Sequence, residues 1–138
     1  SQAFDGVFAS LLVSYLEDPT RLLEEIHRIV RPGGRILISS PKRDADLSSL
    51  FREMMNELTA AGASKLFGDT IGGSFEEAQR NYLNEAARLV DIEESGRFRF
   101  RDPDELKLLA RDAGFSNIRT QLSLGSPPQT AILHATRP

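Results

Sequence analysis

An apolar helical stripe, a Pro-Gly-Gly stop and a short apolar run follow one another within residues 18–40, and this order constrains the fold more than any other feature of the chain. Asp18 is a good helix N-cap, and Pro19 suits the first helical position, where its missing N–H costs nothing. Leu22, Leu23, Ile26, Ile29 and Val30 fall at i, i+1, i+4, i+7 and i+8, which is one face of a helix. Pro32-Gly33-Gly34 ends that helix, because proline cannot continue it and glycine adopts left-handed geometry freely. Arg35 to Ser40 then reads as a buried strand, and Phe4 to Phe8, ahead of the helix, as another. Strand, helix and strand in this order predict a right-handed parallel crossover, the unit of an α/β fold.

The middle of the chain reads as helical. Leu47, Leu50, Phe51, Met54, Met55, Leu58 and Ala61 keep helical spacing up to Gly62. Ser74 and Glu77 have capping-box spacing and open a second stripe from Phe75 through Tyr82 to Val90. Asp102-Pro103-Asp104-Glu105 opens a third helix, faced by Leu106, Leu109, Ala110 and Ala113 and closed by Gly114-Phe115. Ile118, Thr120, Leu122 and Leu124 alternate as in a half-buried strand. Gly125-Ser126-Pro127-Pro128 turns the chain, and Gln129 to Thr136 forms a last strand, so the two pair as an antiparallel hairpin.

Composition excludes several classes. The 138 residues suit one domain, and the net charge of −3 with no dense Lys/Arg block disfavours a nucleic-acid partner. The absence of cysteine removes disulfides and thiolate metal sites, and the two histidines are far apart in sequence. No apolar run reaches the roughly 18 residues of a membrane span, and no signal peptide is visible, so cytoplasmic is the default expectation. Gly72-Gly73 lacks the lysine and preceding strand of a phosphate loop and reads as helix punctuation.

Phe4-Asp5-Gly6-Val7-Phe8-Ala9-Ser10, then Tyr15-Leu16-Glu17-Asp18-Pro19, then Arg28 and Arg31-Pro32-Gly33-Gly34-Arg35-Ile36-Leu37-Ile38-Ser39-Ser40, resemble the fourth strand, following helix and fifth strand of class I S-adenosylmethionine-dependent methyltransferases. Ala113-Gly114-Phe115 and the terminal hairpin resemble that family's ending, and its small-molecule branch, of the ubiquinone-biosynthesis type, is the most similar. The resemblance implies a partial Rossmann-like α/β fold, with parallel strands ending in an antiparallel hairpin. It divides one domain into a core of residues 1–42, a helical insertion or lid of residues 43–97 and a last helix with hairpin over 98–138. The expected lid centres on a mobile Ala63 to Gly73 loop.

The resemblance also assigns roles. Ala9, Ser10 and Leu11 would lie against S-adenosylmethionine, with Ser10 the best single candidate. Tyr15 stands where relatives often carry a histidine, facing substrate. Tyr15 is the one candidate for a catalytic role, although a tyrosine there is a poorer general base than a histidine, because an unperturbed phenol has a pKa of about 10. Lys42 follows the fifth strand at the end where open sheets bind ligands, with Arg43 beside it, so the two could meet an anionic substrate. Met54 and Met55 are candidates to line a substrate pocket. The plainer readings are a strand-end hydrogen bond for Ser10, packing for Tyr15, solvated charge for Lys42 and Arg43, and core filling for the methionines. His27 reads as a surface residue and His134 as a packed one.

Two features of the family are missing. No Gly-x-Gly loop occurs, and no acidic residue ends a strand to hold the donor's ribose. The chain therefore reads as the C-terminal portion of a small-molecule methyltransferase, binding the donor weakly or not at all without a donor-binding half. A non-catalytic, oligomeric binding module derived from the same fold is the alternative. A different Rossmann-type enzyme, such as a nucleotide-dependent oxidoreductase, fits the hairpin ending poorly. Without a neighbour, the Phe4 to Phe8 strand would be an apolar edge, so a homodimer through that edge or the open sheet face is expected.

Overall fold

A computed structural model describes residues 3–62 and 74–138, side chains of 86 and 90 excepted. Along the chain come β1 (Phe4–Ser10), a 3-10 turn (Leu12–Tyr15), α1 (Thr20–Ile29), β2 (Val30–Pro41), α2 (Leu47–Ala60), α3 (Phe75–Glu94), α4 (Pro103–Asp112), β3 (Ser116–Ser123) and β4 (Thr130–Thr136). The strands form one sheet in the order β1-β2-β4-β3. β1 and β2 run parallel, whereas β4 is antiparallel to both β2 and β3. The final hairpin thus inserts its second strand beside β2.

The pleat sends alternate residues to opposite faces. Val7 and Ala9 of β1 align with Ile36 and Ile38 of β2, which align with Ala135 and Leu133 of β4. This face is buried beneath Leu23 and Ile26 of α1 and Leu106 and Ala110 of α4. The core therefore lies on one side of the sheet. The other side carries Phe8, Leu37, His134 and Arg119 in one cross-strand row.

Several elements differ from expectation. α1 begins at Thr20, one residue late, although the Asp18 carboxylate still accepts the Thr20 N–H at 2.9 Å. β2 begins at Val30, well before Arg35, and runs through Pro32-Gly33-Gly34. The helix has already ended at Ile29, so the Pro-Gly-Gly segment serves as a bulge: Phe4 aligns with Val30, but Gly6 aligns with Arg35. Glycine is required at that bulge. Gly33 has φ +77°, and a side chain on Gly34 would meet Arg31 O at 2.8 Å and Asp5 O at 3.0 Å. The bulge is tied to the chain's last residues, Gly33 N–H donating to Arg137 O and Arg137 N–H to Gly34 O, each at 2.9 Å.

β1 stands at the sheet edge, as expected for a strand without a neighbour on that side, and not buried as its apolar composition alone suggested: Phe4 is 52% and Phe8 67% accessible, and only Ala9 is buried. His27 packs its ring edge-on against Phe115 at 5.1 Å instead of lying free at the surface. His134, read as packed, is exposed on the open face. Helix starts follow local chemistry. Ser74 Oγ accepts the Glu77 N–H at 3.0 Å, and Asp102 with Glu105 completes a capping box. The Ala63 to Gly73 loop lies outside the described residues. No helix among the described residues is long and apolar enough to cross a membrane.

Candidate functional site

The parallel ladder continues one step past β1, where Leu11 N–H donates to Ser39 O at 2.9 Å. Leu11 then takes a left-handed conformation, φ 59°, and the chain turns away from the sheet. This turn positions Tyr15. Ser14, fully buried, bonds Ser40 across to β2, Oγ to Oγ at 2.9 Å, which pins the 3-10 turn on the strand end.

Facing Tyr15 is the extended segment Phe98-Arg99-Phe100-Arg101. Its backbone is satisfied by neighbours on either side: Arg99 N–H donates to Ser14 O at 2.8 Å and Arg101 N–H to Pro41 O at 3.0 Å. The Phe98 ring meets Tyr15 edge-on at 4.6 Å and Phe100 edge-on at 5.3 Å. Arg101 is buried and reaches back across the same segment, donating to Leu16 O at 3.0 Å and Glu17 O at 3.3 Å. Burial draws its guanidinium pKa down, yet arginine stays charged in proteins. Arg43 at the end of β2 bonds Asp102 at 3.2 Å and Glu105 at 2.8 Å, fixing the start of α4 to the strand.

These elements enclose a cavity of about 240 Å³ at the carboxyl ends of β1 and β2. Leu11 and Tyr15 line it from the turn, Phe98 and Phe100 from the extended segment. Leu47 and Leu50 of α2 and Tyr82 and Leu89 of α3 complete the wall, with Tyr82 stacked on Phe51 at 4.8 Å. The position is where open α/β sheets hold ligands.

The expected site residues separate into groups. Leu11 and Tyr15 line the cavity. Ala9 is buried in the core. Ser10 is exposed, its hydroxyl accepting from Ser39 Oγ at 3.2 Å. Lys42 lies outside the cavity lining, its N–H donating to Gln129 O at 3.0 Å. Met54 and Met55 also lie outside it; the Met55 sulfur accepts from Gln79 Nε2 at 3.1 Å between α2 and α3. Sequence reasoning did not single out Phe98, Leu47, Leu50 or Leu89. The alternation Phe-Arg-Phe-Arg was the available signal, since period two marks an extended segment with one buried face. For the donor, the Ser10 and Ser39 hydroxyls and the Leu11 turn suit one wall of a site. Among the described residues, Ser10 and Ser39 hydrogen-bond to each other through their hydroxyls at this strand end. No described group of three or more His, Cys, Asp or Glu could hold a metal.

A mixed sheet with its last strand inserted antiparallel, and a cavity at the carboxyl ends of its parallel pair, defines a Rossmann-like α/β domain with a ligand site. The family model of the methyltransferase domain matches residues 1–120, and the chain belongs to that family. Solved structures agree on the fold. An S-adenosylmethionine-dependent methyltransferase of Thermotoga maritima, described as a possible histamine N-methyltransferase, superposes with a TM-score of 0.56 at 18% identity, over 99% of this chain and 57% of its own. A possible exported protein of Bordetella parapertussis gives 0.57 at 14% identity, over 99% of this chain and 40% of its own. Phosphoethanolamine N-methyltransferase 2 of Haemonchus contortus, solved with phosphomonomethylethanolamine and S-adenosylhomocysteine, gives 0.55 at 14% identity, over 99% and 34%. The chain thus spans less than two thirds of each. A search of curated proteins by sequence finds no match.

Proposed function

We propose that this chain forms the acceptor side of an S-adenosylmethionine-dependent methyltransferase acting on a small molecule, and that catalysis needs a separate donor-binding half. The observation that carries this reading is the apolar cavity at the carboxyl ends of β1 and β2. The donor supplies an electrophilic methyl group. Ser10 and Leu11 of this chain form one wall beside it, and the aromatic residues around Tyr15 exclude water and hold the acceptor in line. The sequence carries no Gly-x-Gly loop, and none of the described strands ends in an acidic residue suited to the adenosine half, so the donor affinity of this chain alone is expected to be negligible. A small-molecule branch of the ubiquinone-biosynthesis type and a cytoplasmic setting are part of this proposal.

Calorimetry tests the reading. The chain alone should give no binding heat with S-adenosylmethionine at micromolar concentrations. Joined to a donor-binding half, it should bind, and Ser10→Trp should abolish binding by filling the site. One-to-one micromolar binding by the chain alone would sink the two-part reading, and unchanged affinity in Ser10→Trp would remove Ser10 from the site.

A second reading, an oligomeric binding module, is favoured by one feature: Phe4 and Phe8 stand exposed along an unpaired edge strand. Apolar edges recruit other strands. We infer a homodimer of the free chain through this edge or the adjoining sheet face. Light scattering showing only a 15.3 kDa monomer at micromolar concentration would refute it.

A further inference from the structure

We propose that the cavity between the ends of the strands and α2 and α3 binds a neutral, planar molecule of one or two fused rings. The proposal rests on taking this cavity as the acceptor site and adds the chemical class of the acceptor.

Volume sets the first limit. The cavity measures about 240 Å³. An apolar cavity of about 150 Å³ is enough for benzene. The space here therefore suits a substituted single ring or a fused pair, and is small for a larger scaffold.

Polarity sets the second. Leucines, Pro41 and aromatic rings make most of the wall. Gln129 also lines it, but its amide is already engaged at both ends: Nε2 donates to Pro127 O at 2.7 Å and Oε1 accepts the Asp46 N–H at 2.7 Å. Glu85 is the one charged lining residue among the described ones, and Arg88 pairs with it at 3.2 Å. No unpaired charge among the described residues lines the cavity. An ionised ligand would lose its hydration there without gaining a counter-charge, and ions in apolar surroundings are strongly disfavoured.

Ring geometry sets the third. Tyr15, Phe98 and Phe100 form a chain of edge-to-face contacts with interplanar angles of 79° and 82°. Such a chain offers alternating ring faces and edges, the surfaces that flat aromatic guests pack against.

The chain also carries its own reporter. It has two tyrosines and no tryptophan, and both tyrosines, Tyr15 and Tyr82, line this cavity. Tyrosine emission therefore reports on the cavity. The chain is titrated with 2-naphthol, 2-naphthoate and 2-naphthylmethylammonium, following tyrosine emission and heat. Saturable one-to-one binding of 2-naphthol is expected, with both ionic analogues weaker by about tenfold or more. Leu50→Phe, which takes up cavity volume, should weaken 2-naphthol by about tenfold. Leu108→Phe, on the exposed surface of α4, should leave it unchanged. The proposal is overturned if 2-naphthol fails to saturate, if either ion binds as tightly, or if a folded Leu50→Phe chain binds equally well. Should Leu50→Phe fail to fold, the three ligands on the unaltered chain still decide. Donor affinity of the joined protein tests methyl transfer separately. Naphthol failing while the donor binds removes only the ring assignment, and the reverse result removes only the methyltransferase reading.

Discussion

On one face of the sheet Ile36, Ile38 and Leu133 are at most 2% exposed beneath α1 and α4, while on the other Phe8 is 67% exposed in the row it shares with Leu37, His134 and Arg119. The same strands build both faces, and their alternation supplies apolar residues to each. The difference comes from the connections. α1 and α4 both contribute to the buried face. The open face is apolar along β1 and cationic elsewhere, where Arg35 of β2 and Arg119 of β3 form no ion pair with a described residue. Sheets with parallel strands are ordinarily covered on both faces. A half-clothed sheet is thus suited to receive a further layer, and this is consistent with a donor-binding half or a second copy.

The sharpest way to break this comparison is to truncate one residue on each face. Leu133→Ala should cost about 2–5 kcal/mol in urea unfolding, because it opens a cavity in packed surroundings. At concentrations where the chain is monomeric, Phe8→Ala should change stability by less than about 0.5 kcal/mol, as exposed positions do. Equal losses at the two sites would mean that the open face is covered in solution.

Gly34→Ala should follow, at about 1–3 kcal/mol, since its new methyl would press on Arg31 O and Asp5 O at the bulge. A smaller loss would show that β1 and β2 can separate at their start, and that the edge is looser than the buried face requires.

A weaker effect concerns the cross-link at the start of α4. Burial pushes the Glu105 carboxyl up, but the Asp102 N–H and the Arg43 guanidinium outweigh this and hold it below its ordinary value. A depressed folded pKa adds stability above the unfolded value, and that stability is lost as pH falls through the folded one. Glu105→Gln should therefore be less stable by under about 1 kcal/mol at pH 7, with the gap to the native chain closing as the pH falls below the ordinary carboxylate range. A gap that widens on acidification would contradict the sign.

The smallest expected change in folding stability accompanies the largest change in assembly. Phe8→Lys should shift unfolding by no more than about 0.5 kcal/mol. It should reduce any dimer seen by light scattering. A dimer that survives Phe8→Lys does not use this part of the open face.

Much of the architecture was legible in local chemistry. The α1 stripe, the Ser74 and Asp102 caps, the Gly114-Phe115 ending and the terminal hairpin are all short-range patterns, and each stands within a residue or two of where its residues indicate, Val30 passing from the α1 stripe into β2. Boundaries near the bulge were not legible, because whether Pro32-Gly33-Gly34 ends a helix or bends a strand depends on pairing with β1 and Arg137. Of the candidate site residues, Leu11 and Tyr15 meet the cavity, whereas Lys42, Met54 and Met55 stand outside its lining. Helical periodicity says which residues share a stripe, and it does not say which turn of that stripe ends over a cavity. Phe98 and Phe100 carry half of the aromatic wall from a segment too short to read as an element.

What the sequence determined alone was the order of elements and the residues able to start, stop or bury each one, since capping, turn geometry and periodicity act over a few residues. Tertiary structure decided which face of the sheet is buried, that Ser14 pins Tyr15 over the strand ends, and that rings from residues 15, 82, 98 and 100 surround one cavity. Those outcomes require residues distant in sequence to meet, and such meetings depend on the crossover and sheet order of the whole chain.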